Sequence, residues 1–473
     1  MSESSNYHET KKTCCSCTTH GDTSVDKTFE TLGTTTSFCP VCLELIPATI
    51  RKDVIGVVMD KTCSRHGRVI ASISSDLATY AKIRQTSRKV TPRSANATDS
   101  VKGCPYDCGL CPAHDQHTCL AILEVTSRCN LMCPICLASS EPQGFDMSPA
   151  VAEQALRNLI KCEGKVTPLQ FSGGEPTLHN NLEEILRIAK SLGFPDIEID
   201  TNGLAMGRDS SLAPRLKDAG LSLVYLQMDG LNSEVSKWIR GRDIIEEKIR
   251  AIENCQKAGL QVALSVTVVP GVNDGMLWEM VRFGIDRQVR GINFQSVALN
   301  GRFPTSLIDA NKRVTLGHFL HEIEKQSSGK ILSGDLTPIP CPDPRCGAMM
   351  YALIDHEELV PLNRLLDSKE LMDLYADVAD WDKIIRKINW ETSPSLSTCG
   401  CCAPSCCDEE IPLGEIFARS DCFSVGFHGM MDAYNFDLDR AKRCCVHALA
   451  PDGRLIPFCL YNIKYRRQYQ SRD

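Results

Sequence analysis

The sequence predicts an α/β protein, an open partial (β/α)6 barrel with a small metal-bound module before it and cysteine-rich segments around it. Three observations carry this prediction. From residue 121 onward, short β-branched runs alternate with helical patterns, which is how βα units and a parallel sheet read in sequence. The chain has 26 cysteines, and nearly all of them are clustered. No stretch of about 18 uninterrupted apolar residues occurs, so no membrane-spanning helix is expected.

Taken in order, residues 1–36 are rich in Ser, Thr, Lys and His and predict a disordered tail that includes Cys14, Cys15 and Cys17. Residues 37–75 predict a rubredoxin-like metal module. "CPVC" supplies Cys39 and Cys42, a strand-like "VIGVVMD" follows, and "CSRHG" supplies Cys63 and His66. Two such knuckles on a β hairpin suit one tetrahedral zinc or iron ion. So small a module buries too little apolar surface to fold alone, and the ion supplies the difference. The fourth ligand is either His66 or a cysteine of the tail.

Residues 76–120 carry Cys104, Cys108, Cys111 and Cys119, four thiolates that suffice for a [4Fe–4S] cluster, with zinc as the alternative. His114 and His117 beside them are expected to play supporting or structural parts. Residues 121–334 carry the barrel. Its strands are expected at 121–127, 168–174, 196–203, 222–230, 261–269 and 292–297. The helix over 148–162 opens with an N-cap serine, Ser148, and Pro149 at its first position. Six units are too few to close an eight-unit barrel. An open one results, with chemistry on the loops after the strand ends.

The central constellation lies on those loops. Cys129, Cys133 and Cys136 follow the first strand with C-x3-C-x2-C spacing. Three thiolates so spaced hold three irons of a [4Fe–4S] cube and leave the fourth open to a ligand. The second strand ends in "FSGGEPT", with Gly173, Gly174, Glu175 and Pro176. The glycines let backbone approach a ligand closely, and the carboxylate can accept hydrogen bonds from an ammonium group. Residues 335–473 return to cysteines. "CPDPRC" and "KRCCVHALAPDGRLIPFC" predict a further cluster from Cys341, Cys346, Cys459 and one of Cys444 or Cys445. The run "CGCCAPSCC" (399–407) is either another metal site or an exposed redox tract. Cys162 and Cys255, which stand alone, predict buried small hydrophobes.

C-x3-C-x2-C after the first strand, with "GGEP" after the second, resembles the radical S-adenosylmethionine (SAM) superfamily. The resemblance implies that the open iron chelates SAM, and that one electron from the cluster cleaves it to a 5′-deoxyadenosyl radical. It further implies SAM or substrate contacts at Asn202 of "DTNG", Asp229 of "QMDG" and Thr267 of "SVTVVPGVND". Ile135 stands where that family often has an aromatic, so adenine must pack on something else. The order of parts across residues 37–465 is similar to tetraether-lipid synthases and their relatives, some of which bear the name of methyltransferases acting on a dihydropterin. This implies coupling of the terminal carbons of two lipid chains, about three [4Fe–4S] clusters, and one mononuclear iron or zinc. It also implies lipid drawn from the membrane and a reduced donor of the ferredoxin or flavodoxin type.

Net charge, −7, argues against nucleic acid as a partner. The first residues contain no apolar run of the kind a secretory signal needs. A cytoplasmic protein is expected, docking peripherally at the inner face of the membrane, with the basic end "NIKYRRQYQSRD" available for anionic head groups. In that compartment thiols stay reduced, so clustered cysteines predict metals rather than disulfides.

Overall fold

The structure, a computed structural model, describes residues 30–86, 90–304, 309, 312–355, 358–366 and 422–470. Cys14, Cys15, Cys17, the 399–407 cysteine run and Arg472 lie outside the described residues.

The N-terminal module is a four-stranded antiparallel sheet of β1 (Thr31–Phe38), β2 (Leu45–Asp53), β3 (Gly56–Cys63) and β4 (Gly67–Ser74), paired in chain order. Residues 31–36, expected within the tail, are strand instead. Their threonines suit a pleated surface, and Thr35 Oγ1 donates to Asp437 Oδ1 at 2.9 Å, anchoring the strand to the C-terminal region. The buried Lys61 fixes the module further. Its Nζ donates to Ser37 Oγ (2.8 Å), Phe38 O (2.7 Å) and Ala433 O (2.7 Å), so the ammonium joins the sheet to the segment near residue 433.

The barrel strands are β5 (Leu120–Thr126), β6 (Leu169–Gly173), β7 (Ile197–Thr201), β8 (Leu223–Gln227), β9 (Gln261–Val268) and β10 (Gly291–Ser296), all parallel and in sequential order. The C-terminal region extends the row at both ends. β14 (Cys422–His428) pairs parallel with β10, and β15 (Val446–Leu449) pairs parallel with β5. Beyond them, β12 (Gly347–Asp355) pairs antiparallel with β14 and carries β11 (Thr337–Pro338) and β13 (Glu358–Pro361), β16 (Leu455–Pro457) pairs antiparallel with β15, and among the described residues the row stays open.

The helix between β5 and β6 spans Pro149–Glu163, capped by Ser148, whose side chain accepts from Val151 N, and ended by Gly164 in the left-handed conformation. Its apolar stripe, with Leu156 and Leu159, joins the main core. Outward-facing strand residues such as Phe171, Ile199, Val224, Leu264 and Phe294 pack in the same core. Parallel strands are ordinarily apolar on both faces. Here the inward face is polar, because Gln170, Ser172, Glu198, Asp200, Tyr225, Asn293 and Gln295 alternate with that core. A face so built cannot pack as a dry interior. It leaves a hydrogen-bonding lumen beneath the strand ends.

Cys162 and Cys255 are buried in the core, as small hydrophobes. Among the described residues every cysteine is a free thiol, and no helix is long and apolar enough to cross a membrane.

Candidate active site

The loop after β5 carries Cys129, Cys133 and Cys136, and all three line a cavity of about 180 Å3 above the strand ends. Gly173 and Gly174 form part of its floor, together with Asn202 and Thr267. The two glycines are needed by the packing itself. A Cβ on Gly173 would lie 2.0 Å from Thr126 O, and one on Gly174 would lie 2.1 Å from Arg128 O, so any side chain would push the two loops apart.

Glu175 is fully buried and does not line the cavity. Its Oε1 accepts from Thr177 N (3.1 Å), Thr177 Oγ1 (2.5 Å) and Thr201 Oγ1 (2.7 Å), and its Oε2 accepts from Asn202 N (2.8 Å). The carboxylate therefore ties the β6 loop to the β7 loop. Pro176 opens the short turn Pro176–Leu178. Asn202 is held in turn, its Nδ2 donating to Asn130 Oδ1 at 2.8 Å, which links the β7 loop to the cysteine loop.

Asp229 is buried and engaged by an arginine that the sequence reading missed. Arg240 Nε and Nη2 donate to its two oxygens at 2.6 and 2.8 Å, and Thr267 N donates to Oδ1 at 3.0 Å. The Arg240 guanidinium holds the Asp229 carboxyl below the usual range. It also reaches Cys133, lining the cavity beside the three sulfurs. The signal available was a cation in the helix after "QMDG", a pattern too common to single out. Lys248 lies behind it, with its Nζ on Gln227 O, and burial lowers its pKa to about 8.

These residues suit a cluster with one open iron. Three sulfur donors converge on one cavity. Burial pushes the Cys129 thiol up to about 12. Arg240 supplies positive charge next to Cys133. Ile135 packs with Val235, Ile239, Val269 and Val297, an aliphatic surface where an aromatic was expected. Burial raises Asp200, which lines the cavity, to about 6, and Glu198, two residues before it on β7, to about 7. Asn293 and Gln295 donate to Tyr225 OH at 2.6 and 2.9 Å.

At the far end of the chain the cysteines divide differently from the sequence expectation. Cys119 does not join Cys104, Cys108 and Cys111. It contacts Cys341 and Cys445. The reason is register. β15 lies parallel to β5 with Val446 opposite Leu120, so the residue before each strand, Cys445 and Cys119, become neighbours. Cys104, Cys108 and Cys111 line one small cavity with His114. Cys346, Cys444 and Cys459 influence one another as a third set, with Arg440 Nη2 donating to Cys346 Sγ at 3.4 Å. Cys341, expected in that set, is in the Cys119 group. In the N-terminal module, Cys39, Cys42, Cys63 and His66 bring their ligand atoms within 4.8 Å of one another, so His66 is placed as the fourth donor.

Part of the basic end is turned inward, away from any head group. Arg466 is buried, paired with Glu124 on β5, and its Nε donates to Asn462 Oδ1 at 2.8 Å. Tyr461 OH donates to the same carboxylate at 2.9 Å, which closes the lumen from the β5 side.

Two family models match this chain: the radical SAM superfamily over residues 123–284, and the HMPTM N-terminal zinc ribbon domain over residues 31–75. A 7,8-dihydro-6-hydroxymethylpterin dimethyltransferase of Methanocaldococcus jannaschii is 32% identical, with 93% of this chain and 95% of that protein covered. The chain belongs to the radical SAM superfamily. A probable GTP 3′,8-cyclase of Methanothermobacter marburgensis is 34% identical over 36% of this chain, which spans 56% of that relative. Among solved structures, Streptococcus suis SuiB bound to S-adenosylmethionine covers 45% of this chain and 46% of its own at 16% identity, with a TM-score of 0.36. As a radical SAM enzyme the protein uses S-adenosylmethionine and a [4Fe–4S] cluster. The zinc ribbon and the other cysteine sets fit further metal sites.

Proposed function

We propose that this radical SAM enzyme joins the terminal carbons of two lipid chains by a bond between sp3 carbons. The observation that carries the reading is the two-part wall of the cavity. Its floor at the strand ends is polar, with Ser172, Asn202, Thr267 and Gln295, which suits the ribose and amino-acid groups of SAM. Its lip is apolar, with Leu131, Ile135, Leu137, Val297, Met430 and Phe458, and this is the surface left for the reacting carbon of a substrate. The lip also meets the Cys346–Cys444–Cys459 set, since Met431 N donates to Cys459 Sγ at 3.5 Å.

When bound, the cluster and SAM would supply a primary carbon radical that takes one hydrogen from each of the two unactivated methyl groups, a bond too strong for acid–base chemistry, so two SAM and two electrons from the donor are consumed per carbon–carbon bond. In this reading Cys129, Cys133 and Cys136 hold the cluster. Gly173, Gly174, Asn202 and Thr267 receive SAM, while Asp229 fixes Arg240 against Cys133. The apolar lip excludes water from the reacting carbon. The two other cysteine trios, Cys104–Cys108–Cys111 and Cys346–Cys444–Cys459, hold auxiliary [4Fe–4S] clusters, making about three in all. A reduced ferredoxin or flavodoxin supplies electrons, and lipid is drawn from the membrane face.

A second reading is supported by its own observations. The relative matched over nearly the full length is named a dihydropterin dimethyltransferase. The polar side offers carboxyls to a polar heterocycle, Asp200 on the cavity wall and Glu198 on the same strand beneath it. In that reading the same radical chemistry methylates a small pterin.

The test is mass spectrometry of lipids from cells with and without the protein, alongside the purified enzyme given SAM, a reductant and either substrate class. Chain-coupled lipid that depends on the protein is expected, with none from a Cys133→Ala variant. Unchanged coupled lipids together with methylated dihydropterin in vitro would replace the first reading by the second.

A further inference from the structure

One group of buried and half-buried side chains lies outside these sites. It lies at the N-terminal end of β5, the end opposite Cys129. One strand separates the two, so by its rise per residue they are roughly 20 Å apart.

His117, Cys119 and Cys341 bring their ligand atoms within 4.8 Å of one another, and His117 Nε2 lies 3.2 Å from Cys119 Sγ. Cys119 also contacts Cys445. Three separate stretches of chain are fastened here by backbone as well. Cys119 N donates to Cys445 O at 2.7 Å, and Gln116 Nε2 donates to Cys341 O at 2.6 Å. The loop before β5 thus places His117, Cys119 and Cys341 in one compact group, and the register of β5 and β15 sets Cys445 beside Cys119, outside that 4.8 Å group.

The second nitrogen of His117 points to its purpose. Nδ1 is buried without a hydrogen-bond partner, and it faces Glu163 Oε2 at 3.9 Å, on a side chain only 1% exposed. Glu163 Oε1 is itself fixed, accepting from Thr118 N at 2.9 Å. A histidine that binds metal through one nitrogen ordinarily turns the N–H of the other to a carboxylate, which sets tautomer and ring orientation. His117 is oriented this way, with sulfurs on one side and the Glu163 carboxylate 3.9 Å away on the other, short of a hydrogen bond.

Compactness bears on what the group holds. Around one tetrahedral ion with metal–sulfur bonds of about 2.3 Å, the donors lie roughly 3.8 Å apart. A cubane spreads its thiolates more widely, because each binds a different iron. Among the described residues, the only other group drawn within 4.8 Å is the zinc-ribbon set of Cys39, Cys42, Cys63 and His66. The cysteines of the radical SAM motif are not so drawn together.

We propose that His117, Cys119 and Cys341 hold a single divalent thiophilic ion, zinc or ferrous iron, as a second mononuclear centre, with the Cys445 thiolate beside Cys119 turning in to complete it. The site has one nitrogen and three sulfur donors. It staples the C-terminal strand β15 and the segment at Cys341 to the start of β5, remote from the radical chemistry.

The experiment counts metal and acid-labile sulfide in the anaerobically purified full-length protein, with iron and zinc measured separately. Metal in excess of sulfide should come to two ions per chain in the wild type and one in His117→Ala, with sulfide unchanged. His117→Cys preserves four donors and should restore the second ion, so it separates ligation from misfolding. X-ray absorption at the edge of the excess metal should show one nitrogen and three sulfurs per ion. His117→Ala retaining both excess ions would overturn the proposal. So would loss of four irons with four sulfides, which would place a cubane at this site.

Discussion

At the scale of single residues, the site depends on a charge arrangement that its cysteine motif does not reveal. Arg240 is buried between Asp229, which accepts two of its hydrogen bonds at 2.6 and 2.8 Å, and Cys133. The carboxylate holds the guanidinium in place, and the guanidinium still presents N–H groups and positive charge toward Cys133. Asp229→Asn keeps the shape but leaves Arg240 a less strongly held cation. Residues that orient the ligands of a metal typically cost about 10–100-fold in activity when replaced. Both Asp229→Asn and Arg240→Met are expected to slow dithionite-driven formation of 5′-deoxyadenosine by about that factor. Iron content should stay unchanged in the first and fall in the second. Equal rates in wild type and both variants would show that the pair only supports packing.

At the scale of elements, the zinc ribbon is a folding unit whose ion stands in for a core. Its apolar cluster is small, consisting of Ala48, Ile50, Val57, Met59 and Tyr80 with a few partly buried neighbours. His66→Ala, or removal of the ion by chelation, is expected to raise hydrogen exchange across 31–74 by at least tenfold, while β6 to β9 keep their protection. Hydrogen-exchange mass spectrometry checks this. The elements also divide by how well the sequence announced them. The six barrel strands lie within two residues of their expected starts, because each alternates an apolar outward face with a polar inward one. β15 did not stand out, being four residues long among cysteines. Once it is placed beside β5, Cys445 must neighbour Cys119, and the grouping of cysteines changes with it. Spacing along the chain shows which cysteines are ligands of the local kind. It says nothing of those brought together by register. Glu175 differs for a similar reason: the loop that carries it is closed by Thr201 and Asn202, residues 26 and 27 further along the chain.

At the scale of the whole molecule, the cavity sits between two surfaces of opposite character, and the substrate is decided by which one it needs. The lip is built from separate parts of the chain: Leu131 and Ile135 from the cysteine loop, Val297 and Ala298 after β10, and Met430 and Phe458 from the C-terminal region. The polar side is built mostly from the barrel strands, with Asp200 on the cavity wall and Glu198 beneath it on β7, and Tyr461 and Arg466 close it at β5. If the reacting carbon belongs to an alkyl chain, polarity at the lip should be costly. Placing an unsatisfied amide against apolar surface costs about 1–3 kcal/mol, which corresponds to roughly 5–150-fold in rate or affinity. Phe458→Gln and Ala298→Gln are therefore expected to reduce chain coupling by about that factor while SAM cleavage continues, so that 5′-deoxyadenosine formed per product rises. Glu198→Gln, deep in the lumen, should leave coupling nearly unchanged. For a polar heterocycle the order reverses, because a lumen carboxyl that pairs with ring N–H groups becomes essential and the lip becomes tolerant. Product and 5′-deoxyadenosine measured together in the three variants distinguish the two cases, since each substrate class predicts damage on a different wall of the same cavity.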